Sequence, residues 1–145
     1  MAVTNRDRVG RAMDALQMGL VPYVEREMDA RAGKEWRKWL DYERDRKMPR
    51  RADGGIAWDV QSLLQTMVQN WKDVFGKTLS QGHRSLVGEL IDVRNAWAHQ
   101  SPFSSDDAHR ALDTTQRLLT AISAADAAAE VEAMRQELMR TVFAD

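Results

Sequence analysis

Residues 86–103 read LVGELIDVRNAWAHQSPF, and the fold predicted from the sequence is built around them. Its apolar residues recur at spacings of 4, 3 and 4 residues, as on a helix face that is buried in a core. They are Leu86, Leu90, Val93 and Trp97. Pro102 cannot continue a helix, so we expect the helix to end just before it.

Three polar residues lie near the C-terminal end of this helix: Arg94, Asn95 and His99. Asn95 and His99 are one turn apart and share a face, whereas Arg94 is about 100° round from Asn95. A purely structural interpretation is open as well, because Arg94 could pair with a carboxylate and His99 could cap the last carbonyls of the helix. Asp92 shares the side of Asn95 and His99, where it either steers Arg94 or His99 or is a plain surface carboxylate.

The N-terminal third of the chain has the periodicity of two helices. A long first helix is predicted over residues 6–31, with a kink near Met18 to Pro22 and an end at Gly33. A short, heavily charged helix follows over residues 34–47. Its apolar contacts are Trp36, Trp39 and Leu40.

The central and C-terminal segments are predicted to be helical too. Asp59 is the expected N-cap of a third helix, whose apolar stripe continues to Phe75. Ser104 is the expected N-cap of a fifth helix that follows Pro102. The alanine-rich, acidic segment from Ala124 either continues this fifth helix or forms a sixth one.

No stretch alternates polar and apolar residues as a strand does, so we expect an all-α, up-and-down bundle of four or five long helices. The 145 residues fit one domain over 1–145. The last helix has no stop signal, so it is also possible that the chain is the N-terminal part of a longer protein. No segment has the length and apolarity of a membrane span or a signal peptide, and a cytoplasmic location is therefore expected.

The net charge of −1 conceals an uneven distribution along the chain. Residues 1–51 carry 13 Lys and Arg against 9 Asp and Glu, whereas residues 52–145 carry 8 against 13. The basic excess is greatest in RDRKMPRR, residues 44–51, where five cations face a single aspartate. Arg50 and Arg51 are therefore candidate substrate-binding residues for a phosphate backbone. On charge alone, a solvated loop is an equally good interpretation.

The run DVRNAWAHQ, residues 92–100, resembles the signature of HEPN domains (higher eukaryotes and prokaryotes nucleotide-binding). Arg94 is followed by four residues and then His99, and the polar Asn95 comes directly after the arginine. Residues 9–28, VGRAMDALQMGLVPYVEREM, look like the first helix of one HEPN subtype, which is found in a yeast transcript-surveillance endonuclease and in prokaryotic defence proteins. The position of the motif at the end of an apolar helix adds to the resemblance.

HEPN domains are all-α, usually dimeric, and many are metal-independent ribonucleases in which two copies of the motif form a composite site. Such cleavage requires a base for the ribose 2′-hydroxyl, an acid for the leaving 5′-oxygen and donors for the phosphate charge. The resemblance implies that His99 acts as base or acid and that Arg94 binds the phosphate. Asn95 would orient the imidazole or donate to the phosphate. We therefore expect a homodimeric, metal-independent endoribonuclease of RNA processing or phage defence.

The alternative is a non-catalytic HEPN module that dimerises or docks within a larger defence or RNA-processing protein. The expected partners are RNA and a second copy of the chain. An antitoxin or further domains of a parent protein are additional candidates. No membrane partner is expected. The sequence has no cysteine, no phosphate-binding glycine loop and no zinc-helix motif, so no cofactor and no metal are expected. His83 and His109 are expected on the surface, and the five tryptophans in the core.

Overall fold

The structure, a computed structural model, describes residues 3–43 and 48–143, with the side chains of residues 41–43 and 143 outside the description. Six α-helices occur in this part of the chain, and no helix in it is both long and apolar enough to cross a membrane. They are α1 (Asn5–Arg31), α2 (Trp36–Glu43), α3 (Val60–Gln69), α4 (Gln81–Ala98), α5 (Ser105–Ala121) and α6 (Ala125–Phe143). The predicted all-α fold class is confirmed, and the C-terminal segment forms a separate helix.

Side-chain caps determine where four of these helices begin. Thr4, Asp59, Ser80 and Ser104 are the N-cap residues of α1, α3, α4 and α5. Each cap side chain accepts a hydrogen bond from the backbone N–H three residues later, and the residue at that position bonds back to the cap. Such capping boxes satisfy N–H groups that a helix start leaves unpaired. The predicted caps Asp59 and Ser104 are confirmed.

Helix α1 lies in the middle of the bundle and contacts α3, α4, α5 and α6. Its inward face is completely buried over four turns, at Val9, Leu16, Leu20 and Val24. Pro22 lies on the exposed side of α1, and the helix continues through it to Arg31. The expected kink therefore does not end the helix, and α1 can serve as the common support for α4 and α5.

The third helix is shorter than the sequence predicted. It ends at Gln69 with Asn70 as the C-cap, whose backbone N–H and side-chain Nδ2 both donate to the Thr66 carbonyl, at 3.1 and 2.9 Å. The chain then turns sharply, with the Gly76 N–H donating to the Trp71 carbonyl at 2.6 Å. A Cβ on Gly76 would lie 2.8 Å from that oxygen, so only glycine fits this turn.

Two tryptophans fasten the segment between α2 and α3 to the C-terminal half of α1. Trp36 and Trp58 are buried, and their ring centroids are 6.3 Å apart. Trp58 Nε1 donates to Glu25 at 2.9 Å, and Trp36 Nε1 donates to Asp29 at 2.8 Å. The prediction of core tryptophans is confirmed for this pair, whereas the other three are half-buried: Trp39, Trp71 and Trp97.

Gly19 marks a close approach between α1 and the turn that joins α5 to α6. A Cβ at this position would lie 2.5 Å from Leu119 Cδ2 and 3.2 Å from Ala124 Cβ. We expect Gly19→Ala to lower the free energy of unfolding by about 1–3 kcal/mol, because overpacking here exceeds the gain in helix propensity. Urea denaturation followed by circular dichroism measures the change.

Gly82→Ala is the matched control. A Cβ on Gly82, in the first turn of α4, would have only Ser80 Oγ near it, at 3.5 Å. This variant should be neutral or slightly stabilising, because alanine favours the helix. Equal losses of stability in the two variants would contradict the close contact at Gly19.

Candidate functional site

The last two turns of α4 bring Arg94, Asn95 and His99 to one end of the bundle. Helix α4 ends at Ala98, with His99 as its C-cap, so the predicted helix end before Pro102 is confirmed. Arg94 and Asn95 are half-buried, and His99 is exposed. The three residues of the sequence motif are therefore close together and reachable from solvent.

The three side chains leave α4 in two directions. Arg94 lies one turn after Leu90 and two turns after Val87, and both of these residues are 0% exposed. The guanidinium thus rises from the core side of the helix. Asn95 and His99 leave from another side, and the solvent-exposed Asp92 shares it.

The apolar stripe of α4 is less buried than the sequence predicted. Leu90 is buried as expected, and Val87 is buried although it was not part of the predicted stripe. The other three members of that stripe are only half-buried: Leu86, Val93 and Trp97. Helix α4 lies at the edge of the bundle, so it keeps apolar surface in contact with solvent.

The end of α4 is closed by its own backbone. The Gln100 N–H donates to the Trp97 carbonyl at 3.1 Å, and the Ser101 N–H donates to the Ala96 carbonyl at 2.9 Å. Gln100 adopts the left-handed conformation, with φ at 60°. This is the Schellman arrangement, which satisfies the last helix carbonyls without a side chain. His99 contributes only its backbone N–H, so its imidazole is not used as a cap.

Neither Arg94 nor the His99 imidazole has an ion-pair or hydrogen-bond partner among the described residues. Glu89 and Asp92 are the carboxylates of α4 that could have paired with Arg94, and Asp92 does not pair with it. Glu89 binds α5 instead, where Arg110 Nη2 lies 2.7 Å away and the Thr114 hydroxyl donates at 2.5 Å. The guanidinium and the imidazole are therefore both available to a ligand.

Trp97 attaches this end of α4 to the first turns of α1. Its Nε1 donates to the Arg6 carbonyl at 3.3 Å, and a Cβ on Gly10 would lie 3.2 Å from the same nitrogen. Asn5 Nδ2 donates to the Phe103 carbonyl at 3.1 Å and so fixes the segment that follows α4. These contacts hold the motif in one position relative to the bundle.

Residues 11–123 match the family model described as Swt1-like HEPN. The chain belongs to the Swt1-like HEPN family. The matched stretch covers most of the chain and contains the whole of α4, so the family predicted from the motif is confirmed. No curated protein and no solved structure matches the chain. Helix α6 lies beyond the matched stretch, and so do the first residues of α1.

Asp92 has no bond to the motif of this HEPN domain. It lies two turns before His99, about 10 Å along the helix axis, and pairs with neither Arg94 nor His99. Its supporting role stays a prediction. The described residues hold no group of three or more His, Asp or Glu side chains that could bind a metal ion.

The other two histidines of the HEPN domain lie away from the motif. His83 Nδ1 accepts a hydrogen bond from the Ser80 N–H at 3.1 Å, at the opposite end of α4 and about 24 Å from His99 along the axis. His109 faces the groove between α5 and α6, beside Leu138. Both are half-buried and line open grooves of the surface, and neither belongs to the buried core. One protomer therefore brings one histidine to the motif.

The basic loop of the HEPN domain is a tight turn with internal bonds. The Arg51 N–H donates to the Gly55 carbonyl at 2.7 Å, and Arg51 Nε lies 3.2 Å from Asp53. Arg50 Nη1 donates to the Met48 carbonyl at 2.8 Å. The remaining cations of the segment lie outside the described residues: Arg44, Arg46 and Lys47.

This loop and the HEPN motif are at opposite ends of α1. The loop leads into Trp58, which bonds Glu25, whereas Trp97 bonds Arg6. These two contacts are about 28 Å apart along α1. Within one protomer, the structure brings the residues of the motif together and leaves Arg50 and Arg51 away from them, and their substrate-binding role stays a prediction.

Gln100 gives a direct test of the α4 end. A left-handed conformation costs a residue with a side chain about 1–2 kcal/mol, and glycine avoids this cost. We expect Gln100→Gly to raise the free energy of unfolding by about 0.5–1 kcal/mol, after the larger chain entropy of unfolded glycine is subtracted. Chemical denaturation measures the difference.

Gln100→Val is the opposing variant, because a β-branched side chain is poorly tolerated at positive φ. It should destabilise the domain. If Gln100→Gly were the less stable of the two, the Schellman end of α4 would be wrong.

Proposed function

We propose that this HEPN domain is a metal-independent endoribonuclease that acts as a homodimer through Arg94, Asn95 and His99. The observation that carries the proposal is the state of these side chains at the end of α4. A half-buried guanidinium and an exposed imidazole lie within five residues of each other there, and neither has a partner among the described residues. Buried or half-buried cations are normally paired, so an unpaired one at an open surface is suited to an anionic ligand.

The chemistry assigns a role to each residue. Arg94 binds a non-bridging oxygen of the scissile phosphate through its planar fork of donors and offsets the charge that develops in the transition state. His99 transfers the proton of the 2′-hydroxyl or of the leaving 5′-oxygen. Asn95, one turn before His99 on the same face, orients the imidazole or donates to the phosphate.

A second copy of the chain supplies what one protomer lacks. Cleavage needs both an acid and a base, and only His99 is available at the motif. A two-fold axis that relates two α4 helices would place two histidines and two arginines around one phosphodiester. The same requirement explains why one HEPN motif has no second histidine beside it.

The outer face of α4 is the best candidate for the seam of this dimer. Gly88 lies there, and a Cβ on it would meet only Arg84 of its own helix, at 3.5 Å, so no described residue of another helix explains the glycine. Ile91 follows Gly88 by about one turn and Asn95 by two, and the isoleucine packs against the core but is only partly buried. A glycine next to a half-exposed apolar residue permits a second helix to approach closely.

The biological setting follows from the activity in the proposal. An enzyme that cuts RNA without a metal suits RNA processing or phage defence in the cytoplasm, where an antitoxin or further domains of a longer parent protein would restrain it. Arg50 and Arg51 would contact the RNA backbone away from the scissile bond, because they lie at the other end of α1.

His99→Ala is the variant that tests the chemistry. We expect the cleavage rate to fall by about 10²–10⁴-fold, because the general acid–base group is lost. The exposed imidazole has no partner to lose, so stability should not change. Wild type should cleave RNA in EDTA and leave 2′,3′-cyclic phosphate ends, which chromatography of the products detects.

His83→Ala is the control, because His83 lies on the same helix at its other end. It should cleave RNA like wild type. A wild-type protein that cut no RNA, or that needed Mg²⁺, would refute the nuclease proposal, and the non-catalytic docking module would take its place.

Ile91→Glu tests the proposed dimer seam. A carboxylate placed in the seam loses its hydration without gaining a partner, so the dimer should dissociate and RNA cleavage should disappear with it. Light scattering coupled to gel filtration gives the mass, and the same fractions are assayed for cleavage.

Met18→Glu is the matched control, since Met18 is an apolar residue of α1 with 75% of its surface exposed. It should leave both mass and activity unchanged. An Ile91→Glu protein that remained dimeric and active would exclude this face as the seam.

A further inference from the structure

A second polar surface adjoins the motif on the side of α1. It is a cleft of about 240 Å³ beside Trp97, and α1 supplies the rest of its wall. Two cations and two carboxylates face it together with one indole. The lining residues are Arg6, Asp7, Gly10, Arg11, Asp14 and Trp97.

Arg6 is held in this cleft in an unusual state. Its guanidinium carbon lies 4.7 Å from the centre of the Trp97 ring, within the range of a cation–π contact. Its Nη1 is buried and has no hydrogen-bond acceptor among the described residues. No described residue accepts a hydrogen bond from the rest of this guanidinium, so a ligand in the cleft can bind it through an oxygen.

The two carboxylates narrow the class of ligand. Asp7 accepts a hydrogen bond from the Thr4 N–H at 3.1 Å, and this bond holds the pKa of the Asp7 carboxyl below its ordinary value. Asp14 is exposed and has no bonding partner among the described residues. A site for phosphate alone would contain no carboxylates, because carboxylates repel anions. A nucleotide can bind both the cations and the carboxylates of the cleft. Its phosphate binds cations, and an exocyclic amine of its base donates to a carboxylate.

We propose that this cleft receives one nucleotide of the single-stranded RNA next to the scissile bond, with its phosphate on Arg6 and an amine-bearing base donating to Asp14. Unpaired bases stack on guanidinium planes and aromatic rings and are read along their edges. The cleft therefore selects adenine, cytosine or guanine over uracil, which has no exocyclic amine.

The position of the cleft ties it to the cleavage motif. Arg94 and Trp97 are three residues apart on α4, so their Cβ atoms are about 5–6 Å from each other. Arg6 lies against the same indole. Arg6 of α1 and Arg94 of α4 thus both lie near Trp97, where neighbouring phosphates of one strand could meet them. This inference rests on the proposed function, and it adds a residue that precedes the stretch matched by the family.

Binding of an uncleavable strand tests the proposal. Fluorescein-labelled, fully 2′-O-methylated 10-mers of A, C and U cannot be cut, because the attacking hydroxyl is blocked. By fluorescence anisotropy, wild type should bind oligo(A) and oligo(C) several-fold more tightly than oligo(U). Arg6→Ala should weaken binding of all three about tenfold or more, since a charge-assisted contact is lost. The slope of log affinity against log salt should fall by about 0.7.

Further variants distinguish base recognition by Asp14 from phosphate binding by Arg6. Asp14→Asn should remove most of the preference against oligo(U), and Arg6→Lys should retain part of the affinity because it keeps the charge. Arg26→Ala is the matched control: Arg26 also covers an aromatic ring of α1, at 5.6 Å from the Tyr23 centroid, but at the far end of the helix. It should bind like wild type.

The outcomes distinguish this inference from the proposed function. If wild type cleaves RNA but Arg6→Ala binds all three oligomers unchanged, the cleft is not a nucleotide site and the nuclease proposal stands. If wild type binds oligo(U) as tightly as oligo(A), or if Asp14→Asn keeps the preference, the base recognition is wrong. If wild type cleaves no RNA yet shows the predicted binding differences, the nuclease proposal fails and the nucleotide cleft remains.

Discussion

The contact between the Trp97 indole and the first turns of α1 determines where the motif of this HEPN domain lies. The indole bonds the Arg6 carbonyl and rests on Gly10, where a larger side chain would crowd it. Arg94 and His99 are within three residues of Trp97, so they move with it. The Schellman end of α4 completes the arrangement, because it satisfies the helix carbonyls by backbone bonds alone. The polar side chains at this end are thereby left for a ligand.

Features that depend on local rules could be predicted from the sequence. The residue before a proline disfavours the helical conformation, and Asp59 and Ser104 are good caps in any context, so the ends near Pro102 and these caps were placed correctly. The end of α3 could not be placed, because it depends on the cap at Asn70 and on a turn that only Gly76 allows. The apolar periodicity continues through that turn, since its side chains still reach the core.

The surroundings of the site depend on tertiary contacts, which sequence spacing does not encode. The structural interpretation of Arg94 was open until Glu89 proved to bind Arg110 of α5. Arg6 was not a candidate, because nothing in its neighbourhood along the chain connects it to the motif. Charge alone made residues 44–51 the most attractive RNA-binding segment, yet its described part lies at the far end of α1. The cations nearest the motif come instead from α1 and α4 themselves.

The central claim is that two α4 ends meet in a homodimer and share one phosphodiester. The chain has no cysteine, so Ala98→Cys places a single spin label one residue before His99. Double electron–electron resonance then measures the distance between the two labels in the dimer. The account predicts one distance shorter than the length of α4, about 27 Å. A longer distance, or no coupling between labels, would contradict it.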